Sequence, residues 1–257
     1  MNTYNRANLL KLALSSYLGQ TEKDFEMVVA DDGSTDNTSE VIDLFKKKAP
    51  FQVKHVWHKH KGHRRAAILN RGIKECSGDY ILFTDCDSLA MRNLVEIHKA
   101  GAGEDKLLCG GYVRICKEIT ESITEEDVLT GDFERLLTPR LKITAFKKHL
   151  KAQWQILIKK PRRPHNMGLN YSVSAEALSR VNGYDEYFEG WGSADGDLRE
   201  RLRMIKVTPA SLYNTALVLH MWHSTEKTKL NKEKRTRNKK HARRSNINPY
   251  CSKGIKD

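Results

Sequence analysis

The stretch Tyr80-Ile81-Leu82-Phe83-Thr84-Asp85-Cys86-Asp87-Ser88 reads as a strand that ends in two carboxylates. Its first five residues have high strand propensity, follow Gly78 and Asp79, and have the length and apolar continuity of a buried strand in a parallel sheet. Open α/β sheets bind their ligands at the carboxyl ends of such strands. Asp85 and Asp87 would stand there, one residue apart. Such a pair suits a hard divalent cation that also holds a diphosphate, because Mg²⁺ and Mn²⁺ take oxygen ligands. An isolated Asp-x-Asp is more often a solvated turn, so its meaning depends on the rest of the chain.

Working outward, short apolar runs alternate with helical patterns. Leu10, Ala13, Leu14, Tyr17 and Leu18 share one helical face, and Gly19 ends it. Residues 25–30 read as a buried strand running into Asp31-Asp32-Gly33-Ser34. A helix follows from Asn37, with Glu40 placed to complete a capping box. Residues 52–57 form the next strand and residues 64–76 a further helix. This β-α-β-α-β series predicts an α/β fold with a parallel, doubly wound sheet. The series also demands a strand before Asn2–Asn5, which would lie upstream of Met1, so the first strand is expected to be truncated and its neighbours to carry unpaired edges.

Residues 118–160 are charged and helical, with Leu136, Leu141, Phe146, Leu150, Trp154 and Leu157 as the expected inward positions. Strand character returns over residues 166–173, followed by a short helix over 175–181 and an Asn182-Gly183 turn. Residues 198–205 are helical, and residues 215–222 make a last strand ending in His220-Met221-Trp222-His223. No internal repeat or linker divides the chain.

The 257 residues are 39% hydrophobic and 30% charged, as in a water-soluble globular domain. No apolar run approaches the ~18 residues that span a bilayer, and the start lacks the apolar segment of a signal peptide, so a cytoplasmic location is expected. The five cysteines show no Cys-x-x-Cys spacing, which argues against a zinc site or a disulfide framework. Of the net charge of +13, residues 226–257 hold +9, with 12 Lys and Arg against 3 Asp and Glu. That stretch reads as a flexible basic tail, suited to an anionic membrane surface at the inner membrane face. It lacks the aromatics and modules of a nucleic-acid binder, so nucleic acid is not an expected partner.

Several separate signals then combine. Thr3-Tyr4-Asn5-Arg6, Val28 to Asp36, Gly62 to Gly72, Asp85-Cys86-Asp87, Asn182 to Glu186 and Gly190 to Asp195 occur in order. Together they resemble the family 2 glycosyltransferases of GT-A fold, with a C-terminal half similar to galactosyltransferase and polypeptide GalNAc-transferase catalytic regions. The resemblance covers residues 2–224. It implies one GT-A domain over residues 1–225, with a nucleotide-binding half to about residue 110 and an acceptor half after it. The implied reaction is sugar transfer from a UDP-sugar with inversion, to a hydroxyl of a growing glycan or lipid-linked saccharide. A non-catalytic nucleotide-sugar-binding protein, or a subunit that depends on a partner, is the alternative.

The resemblance also implies roles for residues. Tyr4 would stack near the uracil and Asp32 would accept from it, which suits a planar base and its N–H. Asp85 would touch the ribose or the metal, Asp87 would ligate the metal, and His220 would complete the set; imidazole favours Mn²⁺ over Mg²⁺. His223 would stand nearby on metal or phosphate. Asp195 would be the base that takes the acceptor proton, with Asp197 as second candidate and Trp191 as a wall of the sugar pocket. Two departures stand out. Ala194 replaces a glutamate that holds acceptor sugars in relatives, and Leu69 replaces an arginine, leaving Arg64 and Arg65 for the diphosphate.

Overall fold

A computed structural model describes residues 1–160, 162–165, 168–224 and 232–256. The first half runs β1 (Asn2–Thr3), α1 (Ala7–Leu18), β2 (Met27–Asp31), α2 (Thr38–Lys48), β3 (Val53–Trp57), α3 (Arg65–Glu75), β4 (Tyr80–Thr84), β5 (Ser88–Ala90), α4 (Leu94–Gly101) and β6 (Lys106–Arg114). The second half continues with α5 (Lys117–Ser122), α6 (Glu125–Thr130), a 3₁₀ turn (Asp132–Leu136), α7 (Pro139–Leu157), β7 (Asn170–Ser174), α8 (Ala175–Arg180), α9 (Ala194–Met204), β8 (Thr208–His220) and α10 (Lys232–Ala242).

Strands β1, β2 and β3 pair in parallel, in the order β1-β2-β3. The other five strands are ordered β4-β7-β6-β8-β5. There β6 and β8 are parallel, whereas β7 runs antiparallel to both neighbours and β5 antiparallel to β8. A parallel bridge between Asn2 and Asp85 joins the two sets. Successive β2 residues Val29 and Ala30 enter different apolar clusters, as the two-residue period of a strand requires. Leu10, Leu14, Leu89 and Leu219 belong to the first, and Ile68, Phe83, Tyr171 and Leu198 to the second.

Four points refine these expectations. The first strand is two residues long, Asn2–Thr3, in keeping with the shortened strand expected, and the Cys86 amide donates to the Asn2 carbonyl at 2.9 Å. Val28 and Ala30 of β2, Leu69, and Ile81 and Phe83 of β4 are among the residues lining a pocket of about 720 Å³. The capping box at Asn37 does not form; Asp36 accepts from the Thr38 amide and hydroxyl instead. Strand β6 is hidden in the sequence by Gly110-Gly111, where its register against β8 shifts. A Cβ on Gly110 would lie 2.3 Å from the Asn170 side chain, and one on Gly111 2.3 Å from the Tyr213 carbonyl oxygen, so both glycines answer to close approach.

The fourth change concerns the basic stretch read as a flexible tail. Its described part is folded onto the domain. Asn238 is buried and donates to the Glu189 carbonyl at 2.8 Å, His241 meets Asp185 at 2.8 Å, and Arg244 meets Asp197 at 2.9 Å. Cys251 is buried against the Asn182 carbonyl. Specific polar anchors, invisible to a charge count, hold it. Residues 225–231, within which the stretch begins, lie outside the described residues, as do Asn166 and Met167 of the strand expected over 166–173.

Behind the sheet, a buried polar group sets a pH limit on stability. His98 on α4 hydrogen-bonds Ser172 through Nδ1 (2.7 Å) and the Asn170 Oδ1 through Nε2 (2.9 Å), an arrangement that suits the neutral ring. Burial pushes its pKa down from 6.5 to about 4, with the Asn170 bond opposing that shift only in part. Between these values the unfolded chain binds more protons than the folded one, so this contribution is full above pH 6.5 and is lost as pH falls toward 4. We expect His98→Gln to flatten the acid limb of the urea-unfolding profile. The parent should lose on the order of 3 kcal/mol more than the variant between neutral pH and pH ~4; parallel profiles would contradict this.

Candidate active site

The carboxyl ends of β1, β2 and β4 converge with the end of β8 and the start of α9 on one corner of the domain. Asp87 follows β4 and is buried. Pairing of β5 with β8 places Ser88 opposite His220, and the Met221 amide donates to the Asp87 carbonyl at 2.8 Å. That register brings His220 Nε2 to 3.6 Å from Asp87 Oδ1, while His223 Nε2 lies 3.2 Å from Oδ2. One ligand atom from each of the three falls within 4.8 Å of the others. A carboxylate oxygen and two imidazole nitrogens this close together could hold a divalent cation. Arg6, at the start of α1, also donates to Asp87 Oδ2 at 2.9 Å.

Burial opposes the Asp87 charge, but the His223 hydrogen bond and the charges of His220, Arg6 and His223 outweigh it, so its pKa falls below the usual carboxylate value. Burial also lowers the pKa of His220, more than Asp87 raises it. A carboxylate and a neutral imidazole are the forms in which these groups bind metal.

Asp85 faces a different partner. Arg65, in the first turn of α3, reaches Asp85 Oδ1 (3.3 Å), Asp195 Oδ1 (2.9 Å) and the Gly168 carbonyl (3.2 Å). Burial works against the Arg65 charge, yet Asp195 and Asp85 more than offset it and keep the group protonated. Burial raises the pKa of Asp85, with Arg65 opposing and Asp87 and Asp195 adding to the rise. The Tyr184 hydroxyl donates to Asp195 Oδ1 at 2.9 Å and contacts the Tyr171 hydroxyl. A Cβ on Gly168 would lie 2.6 Å from the Arg65 guanidinium and 2.9 Å from Asp195, so only glycine leaves room for this pairing.

At the end of β2, Asp32 is buried, and both its oxygens hold protein partners: His58 Nε2 at 2.6 Å and the Arg64 amide at 2.9 Å. Its visible role is to pin the segment over residues 58–64 beneath the turn. Gly33, at φ +87°, packs so tightly there that a Cβ would sit 2.4 Å from the His60 amide nitrogen. Tyr4 stacks on His60, with ring centroids 4.3 Å apart and planes 12° from parallel. Neighbouring Asp31 accepts from the Ser34 amide at 2.8 Å.

Three expected residues stand differently from their forecast. The Arg64 side chain turns to the Lys59 carbonyl (2.8 Å), and Arg65 enters the site in its place. Asp197 has no exposed side-chain surface; it pairs with Arg201 (2.7 Å) and Arg244 (2.9 Å) and so is a structural anion. Trp191 is 69% exposed, with Arg235 of α10 over its ring at 5.3 Å. Ala194 opens α9 beside Asp195. Leu69 is buried in the apolar cluster with Phe83. Arg6 and Tyr184 are site residues that the sequence reading missed. Arg6 lies within the quoted Thr3–Arg6 motif, which was the available signal for it.

The fold is that of a GT-A glycosyltransferase domain. The model of glycosyl transferase family 2 matches residues 1–165, and that of the N-terminal domain of galactosyltransferase matches residues 148–224. The chain belongs to glycosyl transferase family 2. It is 31% identical over 221 residues to a validoxylamine A glucosyltransferase of Streptomyces hygroscopicus subsp. jinggangensis, covering 78% of this chain and 49% of the relative. It is 27% identical over 215 residues to a chondroitin synthase of Pasteurella multocida, covering 78% and 22%. The chain thus spans about half the length of the first relative and less of the second. Among solved structures it is similar to a mannosyltransferase from Pyrobaculum calidifontis in complex with GDP-Man and Mn²⁺ (TM-score 0.58, 18% identity, 85% of this chain and 54% of that one). It is also similar to S. aureus TarS residues 1–349 in complex with UDP-GlcNAc (TM-score 0.58, 16% identity, 88% and 58%).

The two acidic residues of α9's first turn should separate cleanly by stability. Asp197→Ala strands Arg201 as a buried, uncompensated charge, and should cost about 3–5 kcal/mol in denaturant unfolding. A loss below ~1 kcal/mol would show that Asp197 does not anchor the helix.

Proposed function

We propose that this domain transfers a sugar from a UDP-sugar to a hydroxyl of a growing glycan or lipid-linked saccharide, with inversion at the anomeric carbon. The single observation that carries the reading is the joint placement of Asp87, His220 and His223 around one point, with Asp195 linked to the same corner through Arg65 and Asp85. Family membership and likeness to structures holding UDP-GlcNAc or GDP-Man with Mn²⁺ support a nucleotide-sugar donor.

In this reading Tyr4, His60 and the Asp31–Ser34 turn form the nucleoside end. Asp87, His220 and His223 would hold the ion, which when bound neutralises charge on the departing diphosphate. Arg6 adds positive charge beside it. Asp195 takes the acceptor hydroxyl's proton as that oxygen attacks the anomeric carbon on the face opposite the diphosphate. Arg65 and the Tyr184 hydroxyl both hold Asp195 Oδ1, which fixes the carboxylate's direction. Arg65 thereby couples the position of the base to Asp85, beside the donor. Ala194, beside Asp195, offers no polar side chain to the acceptor, so other groups hold it.

Two measurements test this. Asp195→Asn keeps the shape and removes the base; it should lower transfer about 10²–10⁴-fold while UDP binding by calorimetry stays within about two-fold of the parent. Turnover near the parent value would place the base elsewhere. Exhaustive chelation should abolish transfer from every UDP-sugar in a panel, and added Mn²⁺ should restore it; equal turnover before and after chelation would rule out the metal role.

A further inference from the structure

α7 is built inside out. Toward the β6–β8 sheet it buries Ala145, Ala152 and Gln155. Its bulky apolar residues face away: Ile143, Phe146, Leu150, Trp154 and Leu157 are 57, 50, 52, 56 and 79% exposed. Their spacing of three or four residues sets them in one stripe along the helix. Scattered exposed leucines are ordinary, but a continuous stripe of five bulky side chains marks a surface that something covers.

The charge around the stripe selects what covers it. Between Glu134 and Glu176 the chain has ten Lys and Arg and no Asp or Glu. With the +9 of residues 226–257, that leaves the rest of the chain net negative. Helical geometry sets Arg140, Lys147 and Lys151 along one flank of the stripe and Lys142 along the other, and Lys159 and Lys160 continue the basic run past its end; all six are exposed. The cores of protein interfaces are depleted of lysine. A lipid surface fits better, because lysine stems lie along the apolar stripe while their ammonium groups reach phosphate.

We propose that α7 is an in-plane site for an anionic lipid surface, with the five apolar side chains in the headgroup–acyl boundary and the flanking lysines on lipid phosphates. The stripe is about 21 Å long at ~1.5 Å per residue. Among the described residues no helix is long and apolar enough to cross a membrane, so α7 lies on the surface. The assignment moves membrane contact away from the C-terminal stretch, where Lys234 and Arg237 pair with Glu189, and Arg244 with Asp185 and Asp197. It is independent of the catalytic reading. On the opposite, sheet-facing side of α7, Lys148 stands over the Tyr112 ring and Tyr112 meets His220 edge-on, so the helix lies between the stripe and the end of β8.

Co-sedimentation of the full chain with vesicles of phosphatidylcholine containing phosphatidylglycerol, and with pure phosphatidylcholine, tests the site. The parent should bind the anionic vesicles at least ~10-fold more tightly. The exposed triple Phe146→Ser, Leu150→Ser and Trp154→Ser should lose that binding with an unchanged melting midpoint. Lys142→Gln, Lys147→Gln and Lys151→Gln together should weaken it on the order of 100-fold, at about five-fold per charge. A control pair on α10, Lys239→Gln and Lys240→Gln, should bind like the parent. The proposal is overturned if the apolar triple still binds, or if binding is lost in the α10 pair instead. It is also overturned if the parent ignores anionic vesicles, including the case where it self-associates through a face that the triple abolishes.

Discussion

A guanidinium shared between two carboxylates ties the start of α9 to the end of β4. Arg65 stands in the first turn of α3 and binds Asp85 at the end of β4 and Asp195 at the start of α9. Five residues further along the same helix, Asn70 clamps the backbone of Tyr184, donating to its carbonyl at 2.9 Å and accepting from its amide at 2.8 Å. α3 therefore grips the 182–195 segment at two points. Tyr184 returns the contact by directing its hydroxyl to Asp195, and its own pKa, raised by burial, keeps it a neutral donor. Gly168 follows from the same constraint, since a side chain there would occupy the guanidinium's place.

The Asp87 corner obeys a second balance. A buried carboxylate is costly unless opposing charges surround it. Here the compensation comes from two imidazoles and Arg6, brought in by separate elements: β8, the segment after it, and the start of α1. The β5–β8 register is what makes the set possible, because a one-residue slip would turn His220 to the opposite face of the sheet. An ion at this point would meet a carboxylate already desolvated and held, so little further ordering is needed to bind it. Arg65 and Arg6 then act as fixed positive charges on either side of the Asp85-Cys86-Asp87 run, one beside Asp195 and one beside Asp87.

Much of this was legible in the sequence because it depends on local pattern. The alternation through β4 is read from runs of four to six apolar residues, and Asp85, Asp87, Asp195 and His220 stand in recognisable strings. What was illegible depends on partners far along the chain. The Gly110-Gly111 pair looks like a break in a strand until Asn170 and Tyr213 are placed against it. Asp195 and Asp197 are chemically alike and two residues apart, yet one faces the site and the other meets Arg201 and Arg244. The choice between Arg64 and Arg65 turned on which residue of the helix start points inward, a difference of about 100° that sequence spacing cannot orient without the strand it packs on. The basic C-terminal stretch looked unfolded because its apolar content is low, whereas its described residues are held by polar contacts to α9 and the loop before it.

α7 shows the same limit in its sharpest form. A hydrophobic stripe identifies which side chains share a face, and the usual inference that this face points inward assumes that the core is the only apolar medium available. Phe146, Leu150 and Trp154 satisfy the periodicity and violate the assumption. The opposite face explains how the helix can dock this way round: Ala145 and Ala152 allow close approach to β8, and His149 ties the contact by hydrogen-bonding Ser211 at 3.1 Å. Two alanines bury little area, so packing on the sheet alone gives α7 a modest hold. Covering the outer stripe would bury five bulky apolar side chains, whereas the inner face contributes two alanines and Gln155. The side chains that look misplaced for folding are thus those with the most to gain from a second apolar phase, and the absence of any acidic residue between Glu134 and Glu176 means that no charge of the stretch itself opposes an anionic one.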